Sequence, residues 1–152
     1  MAKYDFLKKY VNSDEASKHR LFAVDKEKIE EANYKLANGL PSELKDFYRD
    51  VGYGFLNKED TNSFNRLMSP LQVASINLRE DFYEHDPDLE LYEEEEYRDK
   101  LIFFEVNEGI YLLIAEKETD GKNAIYYFDK KIADSLEEFL IRFDAEGHYF
   151  ED

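Results

Sequence analysis

The feature that most constrains this chain is a dense run of carboxylates between residues 80 and 99. The run holds eleven Asp and Glu residues against the single Arg98, and it supplies ten of the sixteen surplus negative charges of the protein. Carboxylates this close together repel one another and resist burial, so we expect them on a solvated surface. Such a surface attracts a partner with a basic face, although a merely solubilising loop has the same composition.

Length and aromatic content predict one domain with a substantial core. Single domains mostly run to about 100–200 residues, so we expect one domain spanning residues 1–152, with an acidic insert at about 80–99. Aromatic side chains bury about 150–250 Å² each, and the chain has twelve Phe and twelve Tyr. It has no Cys, which excludes disulfides, thiolate metal ligands and thiol nucleophiles.

Charge and hydropathy also predict where the protein works. The N-terminal sequence has no apolar stretch typical of a secretory signal, and the longest uncharged apolar run, residues 110–115, is far shorter than the roughly 20 residues of a membrane span. Nucleic acids and anionic membranes repel a chain of net charge −16. We expect a soluble cytoplasmic protein that binds neither, and whose partner is basic.

Hydrophobic spacing predicts five helices. The clearest lies in LPSELKDFYRDVGYG, where four apolar residues from Leu44 to Val51 follow the i, i+3, i+4, i+7 pattern of a buried face. Pro41 fits its first turn, and Gly52 with Gly54 ends it. The other helices are expected near residues 3–11, 25–39, 70–78 and 135–145.

Two of these helices have more specific expectations. Ser69 should cap the helix at 70–78, whose inward residues are expected to be Leu71, Ala74 and Leu78. Asp134 and Glu137 fit a cap and reach-back pair at the start of the last helix.

The strand signals lie in the second half of the chain. Residues 101–106 and 110–116 flank Asn107-Glu108-Gly109, which suits a hairpin, and residues 124–129 extend the pair into a meander. Residues 12–24 and 57–66 are expected to be loops. The predicted fold class is therefore α+β, with an antiparallel meander sheet packed against several helices.

No group of residues indicates catalysis or a metal site. His19, His85 and His148 do not have the spacing that directs two imidazoles to one metal. A calcium loop starting at Asp86 fails, because it needs Gly at its sixth position and a carboxylate at its twelfth. We therefore expect a non-enzyme with no catalytic residue, metal or cofactor; an overlooked active site needs a pocket where polar groups and perturbed acids converge.

The segment LPSELKDFYRDVGYGFLN resembles the core motif of the SUKH superfamily, the Smi/Knr-type domain, in its Leu-Pro, its apolar helix with Phe-Tyr and its Gly-containing turn. The order of the remaining elements is similar as well, including a strand pair in LIFFEVNEGIYLLIAE and a closing helix in SLEEFLIRF. The resemblance covers about residues 25–145 and is greatest to bacterial immunity proteins of the YobK type.

The resemblance implies a non-catalytic SUKH-like α+β domain that binds the C-terminal domain of a secreted polymorphic toxin, frequently a nuclease, and so protects the producing cell. It also implies a structural role for five motif residues: Leu40, Pro41, Phe47, Tyr48 and Gly52. The chain departs from the usual family pattern in its Gly-Tyr-Gly turn and in its long acidic insert, which could determine the toxin recognised.

We therefore predict a partner-binding surface in the acidic insert, with its tyrosines as hot spots because charge alone gives limited net affinity. The other interpretation of these tyrosines is that they pack the insert onto the domain. The predicted residues are Asp81, Tyr83, Asp86, Asp88, Tyr92, Glu93, Glu94, Glu95, Glu96 and Tyr97.

Two functions fit this surface. The first is an immunity protein that neutralises a cognate toxin, a nuclease, by stoichiometric binding to its basic C-terminal domain. The alternative is a regulatory or scaffold module that binds an endogenous basic protein. A toxin gene immediately upstream would favour the first, and an isolated gene would favour the second. The sequence leaves the oligomeric state open.

Overall fold

The structure is a computed structural model, and a continuous antiparallel sheet organises it. The residues that it describes are 3–12, 18–57, 64–80, 83–107, 109–147 and 149–150. Within these ranges seven strands pair in sequence order, each antiparallel to the next. They are β1 (Arg20–Phe22), β2 (Tyr53–Phe55), β3 (Arg66–Leu67), β4 (Lys100–Asn107), β5 (Ile110–Ala115), β6 (Ile125–Tyr127) and β7 (Lys130–Ala133).

Five α-helices lie in the described ranges, close to the five predicted positions. They are α1 (Asp5–Lys8), α2 (Lys26–Lys35), α3 (Ser42–Asp50), α4 (Pro70–Leu78) and α5 (Leu136–Ala145). Helices and an antiparallel sheet enclose one hydrophobic core, so the α+β class with a meander sheet is confirmed. In the part of the chain described here, no helix has both the length and the apolar composition of a membrane span.

Two predictions about helix detail were wrong. Helix α4 buries Val73 and Ile76 beside the predicted Ala74, whereas Leu78 is exposed. Apolar residues occur on every side of this helix, so their spacing does not identify the buried face. Helix α5 is capped by Ser135, not by the predicted Asp134 and Glu137. The Ser135 Oγ accepts a hydrogen bond from the Glu138 N–H at 2.9 Å, and Glu138 Oε1 accepts one from the Asp134 N–H at 2.7 Å.

Strand β1 lies in a region predicted as loop, and its pairing with β2 explains the Gly-Tyr-Gly sequence. Gly52 and Gly54 have φ of 141° and 142°. A Cβ on Gly52 would lie 1.9 Å from the Phe22 carbonyl oxygen, and one on Gly54 would lie 2.3 Å from that of Arg20. The glycines therefore permit the close approach of the two strands. They were predicted to end α3, but this strand pairing was not predicted.

Helix α3 is the centre of the core. Phe47 contacts Tyr4 edge to face with ring centroids 4.9 Å apart, and the Tyr48 hydroxyl donates a hydrogen bond to the Met68 carbonyl at 2.6 Å. The five motif residues are all buried: Leu40, Pro41, Phe47, Tyr48 and Gly52.

A buried carboxylate connects α3 to two later parts of the chain. Glu43 Oε1 accepts hydrogen bonds from the backbone N–H of Asn123, at 2.5 Å, and of Leu136, at 3.1 Å. The Asn123 side chain in turn donates to the Ala115 carbonyl at 3.1 Å. Glu43 therefore fixes the start of α3 against the β5–β6 connection and the N-terminus of α5, where a negative charge is favourable.

Candidate partner-binding surface

The acidic segment, residues 80–99, lies between α4 and β4, and two short 3₁₀ helices lie in the part of it from residue 84 onward. The first is Pro87–Glu93 and the second is Glu95–Tyr97. Asp86 caps the first through a hydrogen bond that its Oδ1 accepts from the Asp88 N–H at 3.0 Å, and Pro87 occupies the first turn, where its missing N–H has no cost. The segment is therefore ordered rather than an irregular loop.

Apolar side chains fasten this segment to the sheet. Leu89, Tyr92 and Tyr97 are buried, with Tyr92 7% and Tyr97 5% exposed. The Tyr92 ring packs against Tyr111 with centroids 5.7 Å apart, and it stacks on Phe128. Its hydroxyl accepts a hydrogen bond from the Tyr111 N–H at 3.1 Å.

Burial of these rings corrects the prediction that Tyr92 and Tyr97 are presented outward as hot spots. A 3₁₀ helix has three residues per turn, so Leu89 and Tyr92 lie on one side of the segment and face the sheet. Tyr83 is half-buried, and its hydroxyl accepts a hydrogen bond from Gln72 Nε2 at 2.9 Å. The alternative interpretation, that the tyrosines pack the segment onto the domain, describes their position.

Arg79 adds a polar anchor at the end of α4. It adopts the left-handed conformation, with φ of 57°. Its guanidinium donates hydrogen bonds to the carbonyl oxygens of Ile76 at 2.9 Å and Leu89 at 3.0 Å, and to Glu93 Oε1 at 3.3 Å. One arginine therefore joins the helix end to the first 3₁₀ helix.

Most described carboxylates of the acidic segment are exposed to solvent. Asp86 is half-buried, and the other described acidic predictions are exposed: Asp88, Glu93, Glu94 and Glu95. Asp81 and the side chain of Glu96 lie outside the described residues. The described carboxylates among the predicted residues are thus exposed or half-buried, whereas Tyr92 and Tyr97 are buried.

A cavity of about 310 Å³ lies between α4, the acidic segment and the β4–β5 pair. No Ser, Thr or His is among its described lining residues. Arg79, one of its basic residues, already donates hydrogen bonds to two backbone carbonyl oxygens. Its charged lining is Arg79, Arg98, Lys100, Glu93 and Glu116.

A buried histidine, His19, pairs with the half-buried Asp144. His19 Nδ1 accepts a hydrogen bond from the Asn57 N–H at 2.9 Å, and Nε2 lies 2.5 Å from Asp144 Oδ1. Because Nδ1 is an acceptor here, Nε2 carries the proton and donates to Asp144. Burial lowers the pKa of His19, and the Asp144 hydrogen bond opposes that shift. Within the described ranges, no three His, Asp or Glu side chains are grouped as metal ligands would be.

Comparison with known proteins gives two matches. The model of the SMI1 / KNR4 family (SUKH-1) matches residues 23–142. A protein named immunity protein YxxD, from Bacillus subtilis (strain 168), is 40% identical over 149 residues, which are 98% of this chain and 95% of that protein. No solved structure matches the chain.

Proposed function

Since this chain belongs to the SMI1 / KNR4 family (SUKH-1), we propose that it is an immunity protein, which binds one cognate toxin and neutralises it. The 40% identity to immunity protein YxxD extends over nearly the full length of both chains, which supports transfer of that role. The proposed action is stoichiometric binding in the cytoplasm of the producing cell. It requires no catalysis, cofactor, nucleic acid or membrane.

The proposed target is the basic C-terminal domain of a nuclease toxin. The observation that carries this choice is the exposure of five carboxylates within eight residues: Asp88, Glu90, Glu93, Glu94 and Glu95. A nuclease needs Lys and Arg side chains to hold a phosphate backbone. Carboxylates carry negative charge, as phosphates do, and can therefore bind those Lys and Arg side chains in place of the nucleic acid.

Tyr92 and Arg79 anchor the acidic segment, and this anchoring should affect its affinity for the toxin. A flexible acidic loop loses conformational entropy when it binds, whereas a segment ordered in the free protein avoids most of that cost. Pairing charges across an interface still requires their desolvation, so the net affinity from the carboxylates is limited. Their larger expected contribution is to the association rate through electrostatic steering.

The test is co-expression with a polymorphic toxin whose gene lies immediately upstream, scored by cell survival; an isolated gene would itself favour the regulatory alternative. The wild-type chain should protect. A variant with Glu93, Glu94 and Glu95 changed to Gln should protect at lower toxin doses only. The matched control changes Glu27, Glu30 and Glu31 to Gln, because these three are also exposed but lie on α2. Failure of the wild-type chain to protect or to bind the toxin would refute the proposal and favour an endogenous basic partner.

A further inference from the structure

The register of the sheet places a row of side chains on one face, opposite to the face on which Phe104 packs against α5. Arg20 pairs with Phe55, Phe55 with Arg66, Arg66 with Glu105, and Glu105 with Tyr111. Residues directly opposite one another in an antiparallel sheet share a face. The row therefore crosses five strands, from β1 to β5, on a single surface.

The two ends of this row differ in what covers them. At β5, the ring of Tyr92 packs on Tyr111 and closes the surface. At β1 and β2, three partly exposed rings lie on the same face: Phe22, Tyr53 and Phe55, which we call the aromatic patch. Phe55 is 38% exposed, and the Phe22 and Tyr53 rings are half-buried with centroids 5.7 Å apart.

The composition of the aromatic patch is that of a binding site. Arg20 lies over the Phe22 ring at 5.5 Å, and Arg66 pairs with Glu105 at 2.6 Å beside Phe55. Aromatic residues and Arg are enriched at the centres of protein interfaces. Single exposed apolar residues are ordinary, as with Tyr34 on α2 and Ile141 on α5, whereas three rings together with two arginines are not.

The row connects the aromatic patch to the part of the sheet on which the acidic segment packs. Glu105 lies between Arg66 and Tyr111 in the row. Burial, followed by the nearby carboxylates of Glu105, Asp86 and Asp88, raises the pKa of Tyr111. The row therefore carries partly exposed rings at one end and lies close to the carboxylates of Asp86 and Asp88 at the other, whereas Glu105 is buried and paired with Arg66.

This arrangement fits a basic partner better than a second copy of the chain. Lys and Arg of a basic surface can lay their stems and charged heads on aromatic rings while carboxylates neutralise them. A second copy has net charge −16 and would be repelled. The outer edge of β1 is also occupied, because the Asn12 N–H donates to the Leu21 carbonyl at 2.8 Å and the Leu21 N–H donates to that of Tyr10 at 3.2 Å.

We propose that the aromatic patch is the apolar centre of the toxin-binding surface and that the acidic segment is its charged rim. The inference rests on the proposed function, and it assigns the two regions to different steps of binding, dissociation and association. The rings determine how long the complex lasts, since desolvated aromatic contacts act mainly on dissociation. The carboxylates determine how quickly it forms.

The experiment measures binding kinetics with a catalytically inactive form of the toxin domain encoded beside this gene. Phe55→Thr keeps a residue that favours strands and should raise the dissociation rate by roughly 10–100-fold, with the association rate within about twofold. Tyr34→Thr and Ile141→Thr are the controls, because both side chains are more exposed than Phe55 but lie on α2 and α5. Thermal unfolding checks that each variant is folded.

A second measurement needs no variant. Hydroxyl-radical footprinting of the wild-type chain should show Phe55 and Tyr53 protected by the toxin domain, with Tyr34 unprotected. Binding of the wild type with an unchanged dissociation rate for Phe55→Thr and no protection of Phe55 would overturn the inference and leave the proposed function intact. No binding by the wild type overturns both. Self-association abolished by Phe55→Thr would identify the patch as a contact between copies and also overturn the inference.

Discussion

Glu43 and Asn123 hold each other by reciprocal hydrogen bonds across 80 residues of chain. The Glu43 N–H donates to Asn123 Oδ1 at 3.1 Å, and the Asn123 N–H donates to Glu43 Oε1 at 2.5 Å. The same carboxylate oxygen accepts from the Leu136 N–H. The residue that follows Leu-Pro-Ser in the family motif therefore joins three parts of the fold.

Glu43→Ala should lower the free energy of unfolding by about 2–5 kcal/mol, since it leaves the buried N–H groups of Asn123 and Leu136 without an acceptor. Glu43→Gln retains an acceptor oxygen and should cost less. The measurement is urea-induced unfolding. Glu30→Ala, at an exposed position on α2, is the control and should change stability by less than about 0.5 kcal/mol. Equal losses at the two positions would contradict the assignment.

Gly52→Ala should destabilise the protein by about 3 kcal/mol or more, because the new Cβ would overlap the Phe22 carbonyl oxygen. Gly121→Ala tests whether the left-handed backbone alone is responsible. Gly121 has φ of 77°, but a Cβ there meets nothing within 4 Å, so its cost should stay near 1–2 kcal/mol. Thermal unfolding of both variants gives the comparison, and a similar loss in each would exclude the close approach of β1 as the cause.

Tyr92→Phe keeps the ring but removes the hydroxyl that accepts from the Tyr111 N–H. We expect a loss of about 1–3 kcal/mol, since that N–H is buried, and faster amide hydrogen exchange in residues 87–97. Tyr34→Phe should have no effect, because Tyr34 is 90% exposed. Exchange in 87–97 that is no faster than in the wild type would show that the hydroxyl does not hold the segment.

Stability should fall as the pH drops below about 6.5. Burial lowers the pKa of His19 in the folded protein from its ordinary value of 6.5, so the unfolded chain takes up the proton first. The unfolded state then gains stability from protonation as the pH falls, while the folded state keeps a neutral ring. Burial alone would raise the pKa of Asp144, but hydrogen bonds from His19 and Lys18 lower it below its ordinary value of 3.8. The folded protein therefore loses further stability as the pH falls below about 3.8.

Urea unfolding at a series of pH values between 5 and 8 measures the His19 effect. The decline below pH 6.5 should shrink in His19→Asn and persist in His85→Asn, because His85 is an exposed histidine on the acidic segment. A decline of the same size in all three proteins would assign it to other groups.

Charge reversal at Glu93, Glu94 and Glu95 to Lys should slow association with the toxin domain by at least about tenfold at low salt, because steering by exposed charges depends on the long-range field. The difference from wild type should narrow as salt screens that field over about 10 Å at 0.1 M. Stopped-flow association at several salt concentrations is the measurement. A salt-independent difference would indicate local contacts rather than steering.

The pattern of apolar residues in the sequence predicted the longer helices and strands, in which such a pattern can be recognised. Strands β4 and β5 are nearly continuously buried, and the helices α2, α3 and α5 each bury an apolar face. The predicted positions of these five elements are close to the observed ones. Strands β1 and β3 contain only three and two residues, too few for an alternation to stand out from a loop. Their place in the sheet depends on pairing with distant residues, which sequence spacing does not contain.

The acidic segment illustrates a different difficulty. Tyrosines set between carboxylates suggested exposed rings, because the surrounding charge made burial of the whole segment unfavourable. The 3₁₀ repeat separates the two kinds of residue, with Leu89 and Tyr92 on one side and Glu90 and Glu93 exposed. The signal that could have indicated this is the three-residue interval between Leu89 and Tyr92, which is too short to distinguish from chance without a structure.

Separation of anchor and charge within one segment has an evolutionary consequence. Leu89, Tyr92 and Tyr97 hold the backbone in place, so the outward positions beside them can change sequence with little penalty in folding. Lineages that meet a different toxin could therefore acquire new specificity by replacing surface residues alone, while the three inward side chains stay constant.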